Sequence, residues 1–349
     1  GVNHKYFKYD HVKSTRQVGS AFKPLVYTAA LESGMRPCDY KRNMLTTYED
    51  YENWTPRNHG DEYGGRYSLQ AALAHSYNTI AVDVLMDTGI SEVRETAQKM
   101  GIHSDIPPEP SIALGTAEVS LLDLITAYST FLNNGNPPSP QFVTTIHNSK
   151  GELIYDFRDQ EQQTNGLEFE NAISPRTAAT MVKMLEKVVN EGTGYPLRSR
   201  FGIRHALAGK TGTTQNYTDG WFVGMTPNLV FGAWVGGYNY RVRLKGNMGY
   251  ASQTALPIVG RFLQNIDEYP ELRPPNRFPE DQIAASYRLT CPDFRPDRLT
   301  DRLKDFFNGR RDGDARVVDT DEEEDKSLFG RIRSIFSRDE NDDDNELDN

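Results

Sequence analysis

The sequence predicts a mixed α/β domain of the α+β type, with an antiparallel sheet flanked by helices and a helical subdomain. The first observation is the order of the elements: helical patterns dominate residues 20–133, and strand-like segments cluster after residue 141. The second is a tight Thr-Pro-Asn turn at residues 226–228, which only antiparallel neighbouring strands can use. Strands and helices do not alternate, so a doubly wound parallel sheet is excluded.

The helices are predicted from apolar residues that recur with a period near 3.6. In the first helix, Gly34 provides the stop, and Pro24 lies near the start, where a missing N–H matters least. The predicted helices span residues 20–33, 68–74, 78–87, 120–133, 177–190 and 254–265.

The strands are predicted from β-rich segments bounded by turn residues. Ser149, Lys150 and Gly151 separate the two segments of a predicted hairpin, and a three-strand meander follows the fifth helix. The predicted strands span residues 142–146, 153–157, 206–213, 220–225 and 229–236.

Composition divides the chain into a body and a tail. The 349 residues are 37% hydrophobic, which allows a sizeable core and excludes a wholly disordered chain. The net charge is −10, and residues 301–349 alone hold 17 acidic and 9 basic residues, a pattern without the basic patch that nucleic-acid binding needs. We therefore predict a main domain at residues 1–268, a Pro-rich extension at 269–300, and an acidic, disordered tail at 301–349.

Two further features bear on membranes. No run of eighteen apolar residues occurs, so no bilayer-spanning helix is predicted within this chain. In the tail, residues 326–338 carry an apolar stripe at helical spacing with basic residues around it, which could lie on an anionic membrane or dock on a partner. The favoured interpretation is a transient helix, because the segment is barely three turns long.

The sequence predicts neither a metal nor a cofactor. The seven histidines are scattered and form no His-Glu-x-x-His motif. Cys38 and Cys291 lack Cys-x-x-Cys spacing, which excludes a disulfide framework and a Cys-rich zinc site and leaves the state of these two thiols open.

The first candidate catalytic motif is Ser20-Ala21-Phe22-Lys23 at a predicted helix start. Positions i and i+3 share one helix face, so the Ser20 hydroxyl and the Lys23 amine can meet. A lysine with a lowered pKa can take the proton of a serine nucleophile, and the positive end of a helix favours an oxyanion beside it. By itself the pattern also fits a solvated helix face.

The second motif is Ser76-Tyr77-Asn78, between two predicted helices. Its serine can relay a proton and its asparagine can anchor a lysine or a substrate amide, although both residue types are also ordinary helix caps.

The third motif is the strand segment Lys210-Thr211-Gly212-Thr213. Lys210 supplies a positive charge, the hydroxyls of Thr211 and Thr213 can bind a carboxylate, and Gly212 lets a substrate approach the backbone. A phosphate-binding loop is excluded, because Arg204 stands where that motif needs glycine and a strand, not a helix, follows.

Ser-x-x-Lys, Ser-x-Asn and Lys-Thr-Gly in this order form the active-site signature of penicillin-recognising serine enzymes. The flanking sequence strengthens the likeness, and residues 2–264 resemble the transpeptidase domain of class A (bifunctional) penicillin-binding proteins. The matching segments lie at residues 16–24, 63–66, 76–79, 113–116, 192–194 and 209–222.

This resemblance implies a peptidoglycan D,D-transpeptidase with the penicillin-binding, serine β-lactamase-like fold. Ser20 would attack the penultimate D-Ala carbonyl of a stem peptide, Lys23 would act as the base, and Ser76 with Lys210 would pass a proton to the leaving D-Ala. It implies that Asn78 orients Lys23 and the substrate amide.

The resemblance also implies the binding groups of the site. Thr211 and Thr213 would hold the terminal carboxylate beside Gly212, and the N–H groups of Ser20 and Thr213 would form the oxyanion hole. Partners would be stem peptides as donor and amine acceptor, β-lactams as inhibitors, and other cell-wall synthesis proteins.

Members of this class carry an N-terminal membrane helix and a glycosyltransferase domain, and their first sheet strands precede the nucleophile. This chain contains none of these, so we expect an incomplete sheet and an anchor outside the chain, with the domain on the extracytoplasmic face of the bacterial inner membrane.

Two alternatives remain. One is a hydrolase, either a D-Ala-D-Ala carboxypeptidase or a serine β-lactamase. A class A β-lactamase needs a glutamate that activates the deacylating water, and Glu186 has a Glu-x-x-x-Asn spacing to Asn190, but the place of both residues on an apolar periodic helix favours a structural interpretation. The other is a non-catalytic penicillin-binding sensor, which would not need the intact motifs.

Overall fold

The computed structural model describes Lys5 and residues 10–157, 171–237, 239–244, 246–279, 289–297 and 316–317. Helices and strands coexist without a βαβ succession, which confirms the predicted α+β class. The helices α1 to α8 are Lys23–Glu32, Leu69–His75, Asn78–Thr88, Ile90–Lys99, Leu121–Leu132, Pro175–Asn190, Pro196–Ser199 and Ala255–Asp267.

The strands are short outside the main sheet. Strands β1 to β6 are Thr15–Gln17, Tyr40–Arg42, Glu62–Tyr63, Arg66–Ser68, Glu118–Ser120 and Thr145–His147. Strands β7 to β12 are Leu153–Asp156, Ala208–Thr213, Asp219–Thr226, Leu229–Gly236, Phe294–Arg295 and Arg316–Val317.

The main sheet is the predicted meander, with strand order β10-β9-β8 and antiparallel pairing throughout. Helices α5 and α6 pack against one side of it and α8 against the other. The β9 strand is buried along its whole length, so the sheet lies between two apolar layers.

The hairpin β6–β7 and the nucleophile region differ in how well the sequence predicted them. The hairpin forms, although its first strand spans Thr145–His147 and not the predicted residues 142–146. The first helix, however, begins at Lys23 and not at Ser20, and residues Gly19–Phe22 form a 3₁₀ turn. The reason is Pro24: it has no N–H to offer the carbonyl of Ser20, which instead accepts the i→i−3 hydrogen bond from the Lys23 N–H.

Residues 289–297, which we call the C-terminal strap, pack onto the domain. Within the strap, β11 pairs with β4, which pairs with β2 in a three-stranded sheet. Cys291 forms a disulfide with Cys38, 253 residues away in sequence. This pairing is not predictable from the sequence, because a contact over such a separation leaves no local pattern.

Only Arg316–Val317 of the acidic tail is described, and it pairs in parallel with β3. The remainder of the predicted tail, including the amphipathic segment 326–338, lies outside the described residues. Among the helices of the described ranges, none has the length and apolar character needed to cross a bilayer.

Candidate active site

Ser20 lies on the 3₁₀ turn, wedged between a loop and the edge of the main sheet. The Gly19 N–H donates to the carbonyl of Gly115 at 3.0 Å. A Cβ added to Gly19, which has φ +54°, would lie 2.5 Å from the Thr213 carbonyl oxygen, and one added to Gly115 would lie 1.9 Å from that of Gly19. Only glycine allows these backbone approaches, so the turn is held directly against β8.

Lys23 follows one turn later and is fully buried. Its Nζ donates to the Ser76 carbonyl at 2.6 Å, the Ser76 hydroxyl at 3.2 Å and Asn78 Oδ1 at 2.7 Å. Burial, and secondarily the charge of Lys210, lower the pKa of Lys23 well below its usual value. The amine therefore loses its proton far more readily than an exposed lysine.

Ser76 ends α2 in the left-handed conformation, with φ 62° and ψ 36°. This turn breaks the helix and directs the hydroxyl between two lysines: Lys210 Nζ donates to Ser76 Oγ at 3.0 Å, and Lys23 Nζ reaches the same oxygen. A non-glycine residue with positive φ is uncommon, and it persists only where the surrounding structure holds the backbone in place. All three sequence motifs meet at this one oxygen atom.

Lys210 is fully buried on β8 and also donates to the Thr211 carbonyl at 3.1 Å. Burial lowers the pKa of Lys210 to about 7. The two lysines therefore form a pair of buried amines, and protonating both of them near neutral pH is unfavourable because of burial and mutual repulsion.

The rest of β8 lines the space beside these groups. Thr211 Oγ1 contacts Thr193 Oγ1 at 2.7 Å, and Thr213 Oγ1 accepts the Ala251 N–H at 3.0 Å. A Cβ added to Gly212 would lie 2.4 Å from the Val18 carbonyl oxygen, so this glycine allows the nucleophile segment to pack on the strand.

The Thr213 N–H points away from β9. Thr214 N–H donates to the Asp219 carbonyl at 3.1 Å, and N–H directions alternate along an antiparallel strand. The Thr213 N–H therefore faces the open edge of the main sheet, the side on which Ser20 lies.

Asn78 begins α3 and spans between the motifs and a polar loop. Its Nδ2 donates to the Arg57 carbonyl at 2.8 Å, and its backbone N–H donates to Asn58 Oδ1 at 2.8 Å. Asn58, which no sequence motif indicated, is buried and also accepts the Thr79 N–H. An asparagine twenty residues upstream of the helix it caps carries no local signal.

A buried ion pair that no sequence motif indicated lies behind the site. Arg16 donates two hydrogen bonds to Asp219, from Nε to Oδ1 at 2.8 Å and from the terminal nitrogen to Oδ2 at 3.2 Å. Trp234 Nε1 donates to the same carboxylate, and Arg16 stacks on the Tyr240 ring at 3.8 Å. The pair joins the segment before Ser20 to the turn after Thr213.

Other candidates do not enter this cluster. Glu186 pairs with Lys183 at 2.5 Å, and Asn190 accepts from Arg198. In the described part of the chain, no group of three or more His, Cys, Asp or Glu side chains could hold a metal ion.

Residues 2–236 match the model of the penicillin binding protein transpeptidase domain. The chain is 36% identical over 298 residues to penicillin-binding protein 1A of Aquifex aeolicus, covering 82% of the chain and 39% of that relative, and 35% identical over 253 residues to the Neisseria cinerea protein of the same name, covering 70% and 31%. The chain thus spans about two fifths of the Aquifex relative.

Two solved structures share the fold. Penicillin-binding protein 1A from Haemophilus influenzae aligns with a TM-score of 0.69 at 24% identity, covering 80% of this chain and 46% of that one. The PonA1 protein from Mycobacterium tuberculosis in complex with penicillin V aligns with a TM-score of 0.64 at 24% identity, covering 78% and 73%.

Proposed function

The chain belongs to the penicillin-binding protein transpeptidase family, and from this membership we propose that it is a peptidoglycan D,D-transpeptidase that crosslinks stem peptides through an acyl-enzyme on Ser20. The observation that carries the proposal is the junction at Ser76 Oγ. Lys23 and Lys210, from two distant motifs, both donate to that oxygen. Burying two amines around one serine hydroxyl costs free energy of folding. Such an arrangement is therefore typical of a functional site and not of an ordinary serine.

In the acylation step, Ser20 Oγ attacks the penultimate D-Ala carbonyl of the donor peptide while Lys23 takes the hydroxyl proton. The N–H groups of Ser20 and Thr213 stabilise the negative oxygen of the tetrahedral intermediate. Collapse of the intermediate breaks the peptide bond, and a proton passes through Ser76 to the nitrogen of the leaving D-Ala. Because the pKa of Lys210 is about 7, this lysine can give a proton to Ser76 and take one back near neutral pH.

In the second step, an amine of another stem peptide attacks the acyl-ester carbon. The C–N bond forms, the bond to Ser20 Oγ breaks, and the proton of the amine returns through Lys23 to the serine. Thr211 and Thr213 bind the terminal carboxylate of the donor, beside Gly212, and Asn78 holds Lys23 and the donor amide. β-Lactams resemble the acyl-D-Ala-D-Ala end and acylate Ser20 by the same route.

A hydrolase is the second candidate, and the surroundings of Glu186 weigh against its β-lactamase form. A deacylating glutamate must reach a water beside the acyl-ester, and Glu186 is engaged by Lys183 on α6. A non-catalytic sensor would not require the lowered pKa values of Lys23 and Lys210.

We further propose that the domain works on the extracytoplasmic side of the bacterial inner membrane, anchored through a segment outside this chain. The Cys38–Cys291 disulfide supports this placement, because disulfides persist in oxidising compartments. A glycosyltransferase domain elsewhere in the full protein and contacts with other cell-wall synthesis proteins are part of the same proposal.

The decisive experiment is covalent labelling with a fluorescent penicillin. Ser20→Ala should abolish the label, and Ser33→Ala, an exposed serine at the end of α1, should keep it. Circular dichroism should confirm that both variants are folded. Persistent labelling of folded Ser20→Ala would refute the assignment of the nucleophile.

A further inference from the structure

Three rings form a hydrogen-bonded chain outside the motifs. The Tyr217 hydroxyl lies 3.2 Å from the Tyr250 hydroxyl, which lies 3.0 Å from His59 Nε2. Both ring pairs meet edge to face, with centroids 5.2 Å apart. We call these three residues the aromatic bridge.

The aromatic bridge connects the loop that contacts Asn78 with the segment that contacts Thr213. His59 follows Asn58, whose side chain accepts the N–H of Asn78. Tyr250 precedes Ala251, whose N–H donates to Thr213 Oγ1. His59 at one end of the bridge and Tyr250 in its middle are thus each one residue away from a group that contacts a motif residue. The bridge therefore lies beside Thr213, at the end of the strand where the donor carboxylate is proposed to bind.

We propose that the aromatic bridge binds the acceptor amine and determines how efficiently the acyl-enzyme is captured by an amine instead of by water. This inference rests on the transpeptidase function proposed above. Attack by the acceptor is the reverse of D-Ala departure, so by microscopic reversibility the incoming amine occupies the region that the leaving amine vacates. In the proposed mechanism the leaving D-Ala has its amine at Ser76 and its carboxylate at Thr213, so the vacated region extends from Ser76 to Thr213, and the bridge lies at its Thr213 end.

The chemistry of the bridge suits an alkylammonium ion. The rings of Tyr217 and Tyr250 attract a cation through their negative faces, and their hydroxyls and the imidazole offer hydrogen-bond acceptors. The hydrogen bond between Tyr250 and Tyr217 is the leading cause that raises the pKa of Tyr250, so this hydroxyl stays neutral at the pH of the reaction. The amine is then held until it loses its proton and attacks.

The test separates acylation from the fate of the acyl-enzyme. An N-acyl-D-alanyl-thioglycolate donor acylates Ser20 with departure of a thiolate, so acylation requires no amine. D-Alanine, added at increasing concentrations, then competes with water: its nitrogen bonds to the acyl carbon as Ser20 Oγ leaves and regains a proton. The ratio of aminolysis product to hydrolysis product is measured for each variant.

Tyr250→Phe removes only a hydroxyl and should lower that ratio roughly 5-fold, the effect of about one hydrogen bond. His59→Ala should lower it roughly 10-fold by removing the ring and its acceptor together. Acylation rates should stay within about twofold of wild type in both. Tyr269→Phe, an exposed tyrosine at the end of α8, is the matched control and should leave the ratio unchanged.

The outcomes distinguish the two proposals. Failure of the wild-type protein to form the acyl-enzyme would refute the transpeptidase function and this inference with it. Normal acylation with an unchanged ratio in Tyr250→Phe and His59→Ala would overturn the aromatic bridge alone. Equal loss of acylation and aminolysis would also overturn it, because that result indicates a general distortion of the site.

Discussion

At the scale of single residues, the burial of Lys23 is the property from which its proposed chemistry follows. Its amine has three acceptors from Ser76 and Asn78 and no carboxylate among them, so hydrogen bonds orient the amine without an anion that would keep it protonated. Desolvation then lowers the pKa, with Lys210 as the second cause.

Lys23→Arg tests the role of Lys23 as a base. A guanidinium group keeps the charge but cannot give up its proton in this pH range, so we expect acylation by a chromogenic cephalosporin to fall at least about 100-fold. Lys183→Arg, on the surface of α6, is the control. A rate within tenfold of wild type would remove Lys23 from the base role.

Lys210 makes the stability of the domain depend on pH. Its folded pKa of about 7 lies below its ordinary value of 10.5, so between these limits the unfolded chain binds more protons than the folded one. Stability should therefore rise with pH from about 7 towards 10, by up to about 1.4 kcal/mol per pH unit for one such group. Urea unfolding at several pH values should show this slope in the wild type and a smaller slope in Lys210→Met. Equal slopes in the two proteins would contradict a lowered pKa of Lys210 in the folded state.

The sequence predicted the residues of the three motifs because each motif is a short pattern with a fixed spacing. The structure brings Lys23 and Lys210 together at Ser76, and the match to the transpeptidase family confirms the resemblance on which the motif residues were identified. Their individual roles stay predictions. Asn58 and Arg16 could not be found in this way, because each acts through a partner distant in the chain.

At the scale of elements, the meander and most long helices formed as predicted, because each is one continuous segment with its own pattern of apolar residues. Helix α4 was missed, since only Val93 and Ala97 of its ten residues are buried and its apolar stripe is short. The start of α1 was wrong because the absent N–H of Pro24 overrode the apolar periodicity. Backbone hydrogen bonding thus decided a boundary that hydrophobic spacing could not.

The ion pair between β1 and β9 gives a prediction at this scale. Arg16 and Asp219 are almost fully buried, so Asp219→Asn should lower the free energy of unfolding by about 3–5 kcal/mol by leaving a buried charge unpaired. The double variant Arg16→Met/Asp219→Asn should recover most of that loss, because no unpaired charge remains. Denaturant unfolding of the wild type, of Arg16→Met, of Asp219→Asn and of the double variant measures both effects.

The same cycle separates stability from catalysis. The pair holds the segment before Ser20 against the turn after Thr213, so the double variant should regain stability while its acylation rate stays about tenfold or more below wild type. Recovery of both quantities together would mean that the ion pair stabilises the fold without positioning the site.

At the scale of the whole molecule, the C-terminal strap ties distant parts of the chain together beside the site. Asp293 pairs with Lys187 on α6 at 2.9 Å, and Phe294 packs on Tyr67, whose ring contacts Tyr77 of the second motif at 4.6 Å. Composition alone suggested a Pro-rich extension in this region. Its attachment depends on contacts between residues more than one hundred positions apart, which no local pattern encodes.

Removal of the disulfide tests how much the strap contributes. The bond closes a loop of about 250 residues, so its main effect is to restrict the unfolded chain, and Cys38→Ser/Cys291→Ser should lose about 2–5 kcal/mol of unfolding free energy. Urea unfolding of the oxidised wild type, the reduced wild type and the double variant provides the measurement. The latter two should agree with each other, since both lack the cross-link. Limited proteolysis should cut faster within residues 289–297 in both. A double variant as stable as the oxidised protein would show that the strap's hydrogen bonds and ion pairs hold it without the cross-link.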